Sequence, residues 1–220
     1  MTDGAPEMTI ADKLNAEKAL IFRIVHRDNV AWILEHGLHA RNGLVCPTYR
    51  NIGNADLIGK RATRTVPVAP GGTLNNYVPF YFTPYSIMLY NIHTGYGVAR
   101  VPNEDIVILV ASLRDLARKG FKYVFTNQHA YPVMAEYYND LARLDRVDWP
   151  LLQSRRFKHD PDDPAKKERY QAEALIWQHV PVDALLGMCC YTKAVGLQLQ
   201  AELKSRSLTL RTLVQTGWYF

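Results

Sequence analysis

Four short runs carry side chains with the chemistry to hold or transform a substrate. Arg61 closes the run Asn51-Ile52-Gly53-Asn54-Ala55-Asp56-Leu57-Ile58-Gly59-Lys60-Arg61. Lys60 and Arg61 suit a diphosphate, because a guanidinium forks onto phosphate oxygens. A solvated helix face is the plainer alternative. Glu173 lies in Arg169-Tyr170-Gln171-Ala172-Glu173-Ala174-Leu175-Ile176-Trp177. In a strand it points opposite to Ala172 and Ala174, and a carboxylate among apolar neighbours is costly to bury unless it is paired. A surface place on an edge strand is the alternative. His129 ends Tyr123-Val124-Phe125-Thr126-Asn127-Gln128-His129, where an imidazole can orient a reacting group. His26 ends Arg23-Ile24-Val25-His26 ahead of the turn Arg27-Asp28-Asn29. The main chain of such a turn can hold an amide, and a capping or core histidine is the alternative.

These residues need elements to position them. Residues 18–26 alternate as a strand, and Asp28 or Asn29 caps a helix that stops at Gly37. Residues 41–72 are punctuated by Pro and Gly around Tyr49, Arg50, Lys60, Arg61 and Arg64, which reads as a binding loop with a short helix over 55–64. Strands are expected at 77–82, 106–111, 123–126, 185–191 and 209–214. Pro79 suggests an edge or a bulge for its strand. Helices are expected at 86–93, 113–119, 131–144 and 194–206, the third from the spacing of Met134, Tyr137, Tyr138 and Leu141. Residues 155–167 read as a surface loop, and 168–180 as either helix or strand. Residues 1–17 are polar and expected to be flexible. The pattern is α+β without regular βαβ alternation.

The composition of the 220 residues, 48% hydrophobic and 21% charged, excludes disorder as the overall state. No apolar run approaches the roughly 20 residues needed to cross a bilayer. The N-terminus lacks a signal-like apolar stretch, so a cytoplasmic location and no membrane partner are expected. Cys46, Cys189 and Cys190 lack the spacing of a disulfide framework or a zinc site, and no metal is expected. The net charge of +5 favours an anionic partner. Gly95-Tyr96-Gly97 lacks the third glycine and the preceding strand of a dinucleotide fingerprint, and neither a Walker A motif nor a Gly-x-Ser-x-Gly elbow is present.

Together the runs resemble the DarT family, the toxin half of a bacterial toxin–antitoxin pair. The similar stretches are 21–38, 51–82, 88–93, 121–129 and 169–177, in the family's order and spacing, within a likeness over about 18–220. The string Gly71-Gly72-Thr73-Leu74-Asn75-Asn76-Tyr77-Val78-Pro79-Phe80-Tyr81-Phe82 and the triplet Gln171-Ala172-Glu173 are its most specific parts. The resemblance implies a single ADP-ribosyltransferase domain over 18–220. Its expected core is a pair of split antiparallel β-sheets with peripheral helices and an NAD+ cleft between them. An NAD-binding loop is expected at about 46–63 and a substrate-facing ARTT loop at about 122–173.

The implied activity is transfer of ADP-ribose from NAD+ to thymidine in single-stranded DNA, in a sequence-dependent way that blocks replication. A macrodomain antitoxin of the DarG type would reverse the modification and neutralise the toxin. A transferase of the same fold acting on another base, on RNA or on protein is the alternative. By the same resemblance, Glu173 is the catalytic glutamate, Arg61 the catalytic arginine that also meets the diphosphate, and His129 a group that orients the base or the arginine. Arg23, Ile24 and Val25 would hold nicotinamide through the main chain, with Trp32 and Ala40 lining the NAD+ pocket. Tyr49, Arg50, Lys60, Arg64, Tyr85, His129, Arg155, Arg156 and Lys158 are the positions expected to track the DNA.

The chain departs from the family pattern in three places. Tyr85-Ser86-Ile87-Met88 stands where many relatives carry Arg-Ser-Pro-Met, so Tyr85 is expected to stack a base where Arg would take a phosphate. Asn76 and Asn127 stand where Asp is common.

Overall fold

A computed structural model describes residues 9–220. Thr9 and Asp12 cap each other at the start of α1 (Ile10–Lys13), and Leu14 behind it is fully buried. The segment 1–17, expected to be flexible, is thus held in place from Thr9 onward, and residues 1–8 lie outside the described residues. The chain continues through β1 (Leu20–His26), α2 (Val30–His36), β2 (Leu38–His39) and α3 (Ala55–Arg61). Next come β3 (Tyr77–Tyr81), α4 (Ile87–Thr94), β4 (Ile106–Ser112), α5 (Leu113–Arg118), β5 (Tyr123–Thr126) and β6 (Tyr137–Tyr138). The last third holds α6 (Trp149–Ser154), α7 (Lys166–Arg169), β7 (Glu173–Trp177), β8 (His179–Val180), β9 (Gly187–Cys190), α8 (Lys193–Ser205) and β10 (Arg211–Val214).

The main sheet has the order β10-β9-β4-β1-β3-β7-β5-β6, while β2 and β8 pair separately. All neighbours are antiparallel except β10 and β9. The apolar run that forms β4 is buried at every position, and β1 pairs with it along its whole length. A strand covered on both faces reads as a continuous apolar run for this reason.

The sheet splits between β1 and β3, which pair only at Phe22 and Tyr81. From Arg23 onward β1 has no strand partner on that side, so alternate main-chain groups of its second half face a gap. The carbonyl of Pro79 points into the same gap, where it accepts from Arg23 Nη1 at 2.8 Å. A strand residue's N–H and C=O point the same way, so the N–H that Pro79 lacks falls where β1 has already diverged. Pro79 is therefore interior to the strand order with an unbroken register to β7, and the sequence expectation of an edge or bulge is corrected: the split is what spares the donor that proline lacks.

Two expectations over the second half need correction. No helix spans 131–144. Asn127 instead accepts from the Glu136 N–H and donates to its carboxylate, closing a loop that returns as β6 against β5. Tyr137 and Tyr138 alternate across the sheet there, and Met134, expected on the buried face of a helix, is 80% exposed. The ambiguous stretch 168–180 resolves into the end of α7, the strand β7 and the short β8. The span 122–173, expected as a loop, is built from β5, β6, two short helices and a 3-10 turn over Leu141–Arg146.

Candidate active site

Glu173 opens β7, an interior strand, and pairs across to Tyr81 of β3. The edge-strand alternative is thereby excluded. Its side chain is 2% exposed. The charge is tolerated because both carboxylate oxygens accept from Arg61 Nη1, at 2.9 and 3.2 Å, and Oε1 also accepts from the Ala130 N–H at 3.1 Å. Its own N–H donates to Thr126 Oγ1 at 3.1 Å, and the Thr126 hydroxyl donates on to the Gln128 carbonyl at 2.6 Å. A buried ion pair persists only when such extra hydrogen bonds satisfy it.

Arg61 is the last residue of α3. Asn54 starts that helix, its Oδ1 accepting from the Leu57 N–H at 2.9 Å while its Nδ2 donates to the Gly97 carbonyl at 3.2 Å. The loop after α4 thus fixes the helix that delivers the guanidinium. Arg61 Nη2 and Arg23 Nε are both buried without a hydrogen-bond partner. Both arginines line a cavity of about 540 Å³ that also meets Ile24, Trp32, Ala40, Cys46, Tyr49 and Glu173. Its volume lies within the range of ligand pockets. The unpartnered guanidinium donors suit a diphosphate, the Trp32 indole suits a flat ring, and the open edge of β1 suits an amide. The residues present therefore fit NAD+.

Tyr81 lines the same cavity. Burial and the adjacent Glu173 carboxylate push its phenol well above the ordinary range, so it stays a neutral donor. A second cavity, of about 340 Å³, is lined by Lys60, Asn91, His129, Tyr131 and Gln171. Tyr81, Met88, Asn54 and Leu57 line both cavities. His129 Nε2 stands 3.8 Å from Glu173 Oε1. Arg61, Glu173 and His129 are thus brought together, with a cavity on either side of Tyr81 and Met88.

Other expected site residues fall elsewhere. Val25 is a core residue whose side chain does not reach the cleft, leaving only its main chain for the expected contact. His26 is a cap, its Nδ1 accepting from the Asp28 N–H at 3.1 Å. Arg50 pairs with Asp28 at 3.0 Å and is held through its main chain by Asn29. Arg64 is turned inward, donating to the Pro132 carbonyl at 3.0 Å and lying over the Tyr137 ring. Tyr85 is 3% exposed with the Arg155 guanidinium 3.4 Å from its ring centre, so the expected stacking on a base is corrected: its partner is Arg155. Arg156 and Lys158 are exposed on the following turn.

The departures from the family pattern have local reasons. Asn76 Oδ1 accepts from both the N–H and the hydroxyl of Thr73, a role an amide oxygen fills as well as a carboxylate. Asn127 donates to the Glu136 carboxylate, which an aspartate could not do. Thr126, Ala130, Tyr81 and Asn91 were not singled out from the sequence as site residues. Only the pairing of β3, β5 and β7 shows that the first three surround Glu173.

A cleft that fits a dinucleotide, with a buried carboxylate in its wall and a second cavity adjoining it, suits a transferase that passes part of a dinucleotide to an acceptor. The model of the DarT family of ssDNA thymidine ADP-ribosyltransferases matches residues 22–220, and the chain belongs to this family. It is 58% identical to a DNA ADP-ribosyl transferase of Escherichia coli O127:H6, covering 94% of this chain and 96% of that one. It is 32% identical to another from Thermus sp. 2.9, over 93% of this chain and 97% of that one. The solved structure of Thermus sp. 2.9 DarT with ADP-ribosylated ssDNA superposes with a TM-score of 0.86, at 32% identity over 93% and 97% of the two chains. The same protein with NAD+ gives 0.81, at 31% identity over 93% and 98%. The fold class expected from the sequence is the one observed, and the chain is an NAD+-dependent ADP-ribosyltransferase of DNA. The described residues contain no helix long and apolar enough to cross a membrane and no cluster of potential metal ligands.

Proposed function

We propose that this protein is a toxin that transfers ADP-ribose from NAD+ to a ring nitrogen of thymidine in single-stranded DNA, within a short sequence context, and so blocks replication. A DarG-type macrodomain antitoxin would remove the group and hold the toxin inactive in the bacterial cytoplasm. The observation that carries the reading is the Arg61–Glu173 pair in the wall of a cavity fit for a dinucleotide, with a second cavity, fit for an acceptor base and lined by His129, sharing its Tyr81 and Met88 wall. One domain over 18–220 carries the whole activity, with 46–63 folding over NAD+ and 122–173 facing the DNA.

Glu173 would hydrogen-bond the 2′-hydroxyl of the nicotinamide ribose and support the positive charge that grows at C1′ as nicotinamide departs. Arg61 would contact the diphosphate and stabilise the deprotonated base; with a pKa above about 12 in water, an arginine is a poor free base. Arg23, with Ile24 and the main chain of Val25, would hold the nicotinamide amide along the open strand edge, with Trp32 and Ala40 forming the pocket wall. His129 would orient the acceptor. Single-stranded DNA suits the site because an unpaired base reaches C1′ without the unstacking cost of a few kcal/mol. Lys60, which lines the second cavity, is the residue best placed to meet the strand.

The test is mass spectrometry of oligonucleotides in which every thymidine is replaced in turn. Addition of one ADP-ribosyl group per susceptible thymidine supports the reading. Equal labelling of thymidine-free strands, of RNA or of protein shifts the acceptor to another class.

A further inference from the structure

Arg155 ends α6 in the left-handed region, with φ 58° and ψ 18°. Glycine is the usual residue at such a helix end, because a side chain makes that backbone costly. Here an arginine holds the position, with its guanidinium 3.4 Å from the centre of the buried Tyr85 ring. The next N–H, that of Arg156, donates to Ser154 Oγ at 3.2 Å. Phe157 then packs against Tyr90, Tyr170 and Phe220, at 5.3, 5.2 and 5.8 Å between ring centres. The turn after α6 is thus pinned at Arg155 and at Phe157, while Arg156 and Lys158 are exposed. The pins adjoin the wall of the second cavity. Tyr90 lies between Met88 and Asn91 in α4, Tyr170 precedes Gln171, and Met88, Asn91 and Gln171 all line that cavity.

The ion pairs nearby join Lys166 to Asp160 and Arg169 to Asp163 and Asp148, so among the described residues no carboxylate neutralises Arg155. A ring beneath a guanidinium holds its plane and leaves the N–H groups at its edge free to fork onto an anion. We propose that Arg155 binds a backbone phosphate of the single-stranded substrate, beside the thymidine that enters the second cavity, with Tyr85 as its platform. The inference rests on reading that cavity as the acceptor site. Lys60 lines the cavity itself, whereas Arg155 stands outside it and takes the flank of the strand. A guanidinium already fixed on a ring loses little freedom on meeting a phosphate, which sets it apart from the free side chains of Arg156 and Lys158.

The experiment compares wild type, Arg155→Gly and Arg155→Lys. Binding of a labelled thymidine oligonucleotide is read by fluorescence anisotropy without NAD+ at several salt concentrations, and Tm by calorimetry. Arg155→Gly removes the guanidinium and relieves the left-handed backbone, which offsets the lost ring contact, so Tm should move by less than about 2 °C. The slope of log affinity against log salt should nevertheless fall by about 0.7. In the transfer assay KM for the oligonucleotide should rise about tenfold, the scale of a charge-assisted contact. Both kcat and KM for NAD+ should change less than about twofold, since the lost contact is uniform binding of the strand. Arg155→Lys keeps the charge without the flat plane and should restore the slope but not the full affinity. Replacing each phosphate in turn by a neutral methylphosphonate locates the contact: one position beside the thymidine should weaken wild type and leave Arg155→Gly indifferent. An unchanged slope, a fall in Tm alone, or equal sensitivity of the two proteins at every phosphate overturns the inference. A wild type that binds the strand through Arg155 yet labels no thymidine overturns the acceptor reading instead.

Discussion

Arg61 Nη1 lies 2.9 Å from Glu173 Oε2, although the two residues are 112 positions apart in the chain. One ends a short helix and the other begins an interior strand, so their meeting is set by the tertiary fold. Replacing Glu173 by Gln removes the charge while keeping an oxygen for the Ala130 N–H. Transfer to DNA should fall by about two to three orders of magnitude, the scale of losing one transition-state electrostatic partner. Initial rates on a single-stranded oligonucleotide, with circular dichroism to verify folding, check this.

Thr126 holds Glu173 from behind, and Thr126→Val keeps the shape while removing the hydroxyl. The buried Glu173 N–H loses its acceptor, at a cost of about 1–3 kcal/mol. For a chain of this size, each kcal/mol lowers Tm by about 2–4 °C. Calorimetry should show that fall together with a lower kcat.

Gly37 ends α2 with φ 78° and ψ −169°, a conformation nearly closed to other residues. A Cβ there would stand 2.4 Å from His179 Nε2 and 2.7 Å from the Val180 carbonyl. Gly37→Ala should therefore loosen the β2–β8 pair that carries Leu38 and Ala40 at the dinucleotide cavity. The expected result is a destabilisation of about 1–3 kcal/mol with a raised KM for NAD+.

Burial holds the His26 imidazole below its ordinary value of 6.5, with Asp28 opposing the shift, and burial does the same to His39. The unfolded chain then takes up protons first as the pH falls. Stability is full above about pH 6.5 and is lost progressively below it, until the folded values are passed. Tm measured against pH should show the fall. In His26→Asn, whose side-chain oxygen keeps the cap, the decline should be shallower than in wild type.

Lys60 lines the second cavity, whereas Arg64 is tied to the Pro132 carbonyl. If Lys60 meets a phosphate, Lys60→Ala should reduce the slope of log affinity against log salt by about 0.7 for a single strand. Arg64→Met should leave that slope alone and lower Tm instead. Fluorescence anisotropy with a labelled oligonucleotide at several salt concentrations separates the two.

Much of the fold follows from local pattern. The buried β4, the strand β1 and the capped helices α4 and α8 follow from apolar runs and cap residues, and α2 stops at Gly37 as expected; neither Asp28 nor Asn29 caps it, because the Asn29 side chain binds the Arg50 main chain instead. The stretch around Met134, Tyr137 and Tyr138 misleads because its helical spacing arises from two tyrosines that alternate across a strand and a methionine that faces water. The site is legible as residue types at Arg61, His129 and Glu173. Thr126 and Ala130 are not, because they contribute a hydroxyl and a main-chain N–H whose partners are settled only by register. Tyr85 fails as a base platform because Arg155, carried by the turn after α6, already covers its ring.

The most direct test of the central claim is the mass of a single-stranded, thymidine-containing oligonucleotide after incubation with NAD+ and each of two proteins, wild type and folded Glu173→Gln. The account predicts one added ADP-ribosyl group on thymidine with the first and, over the same interval, at most a trace of it with the second. Modification by Glu173→Gln at the wild-type rate would contradict it.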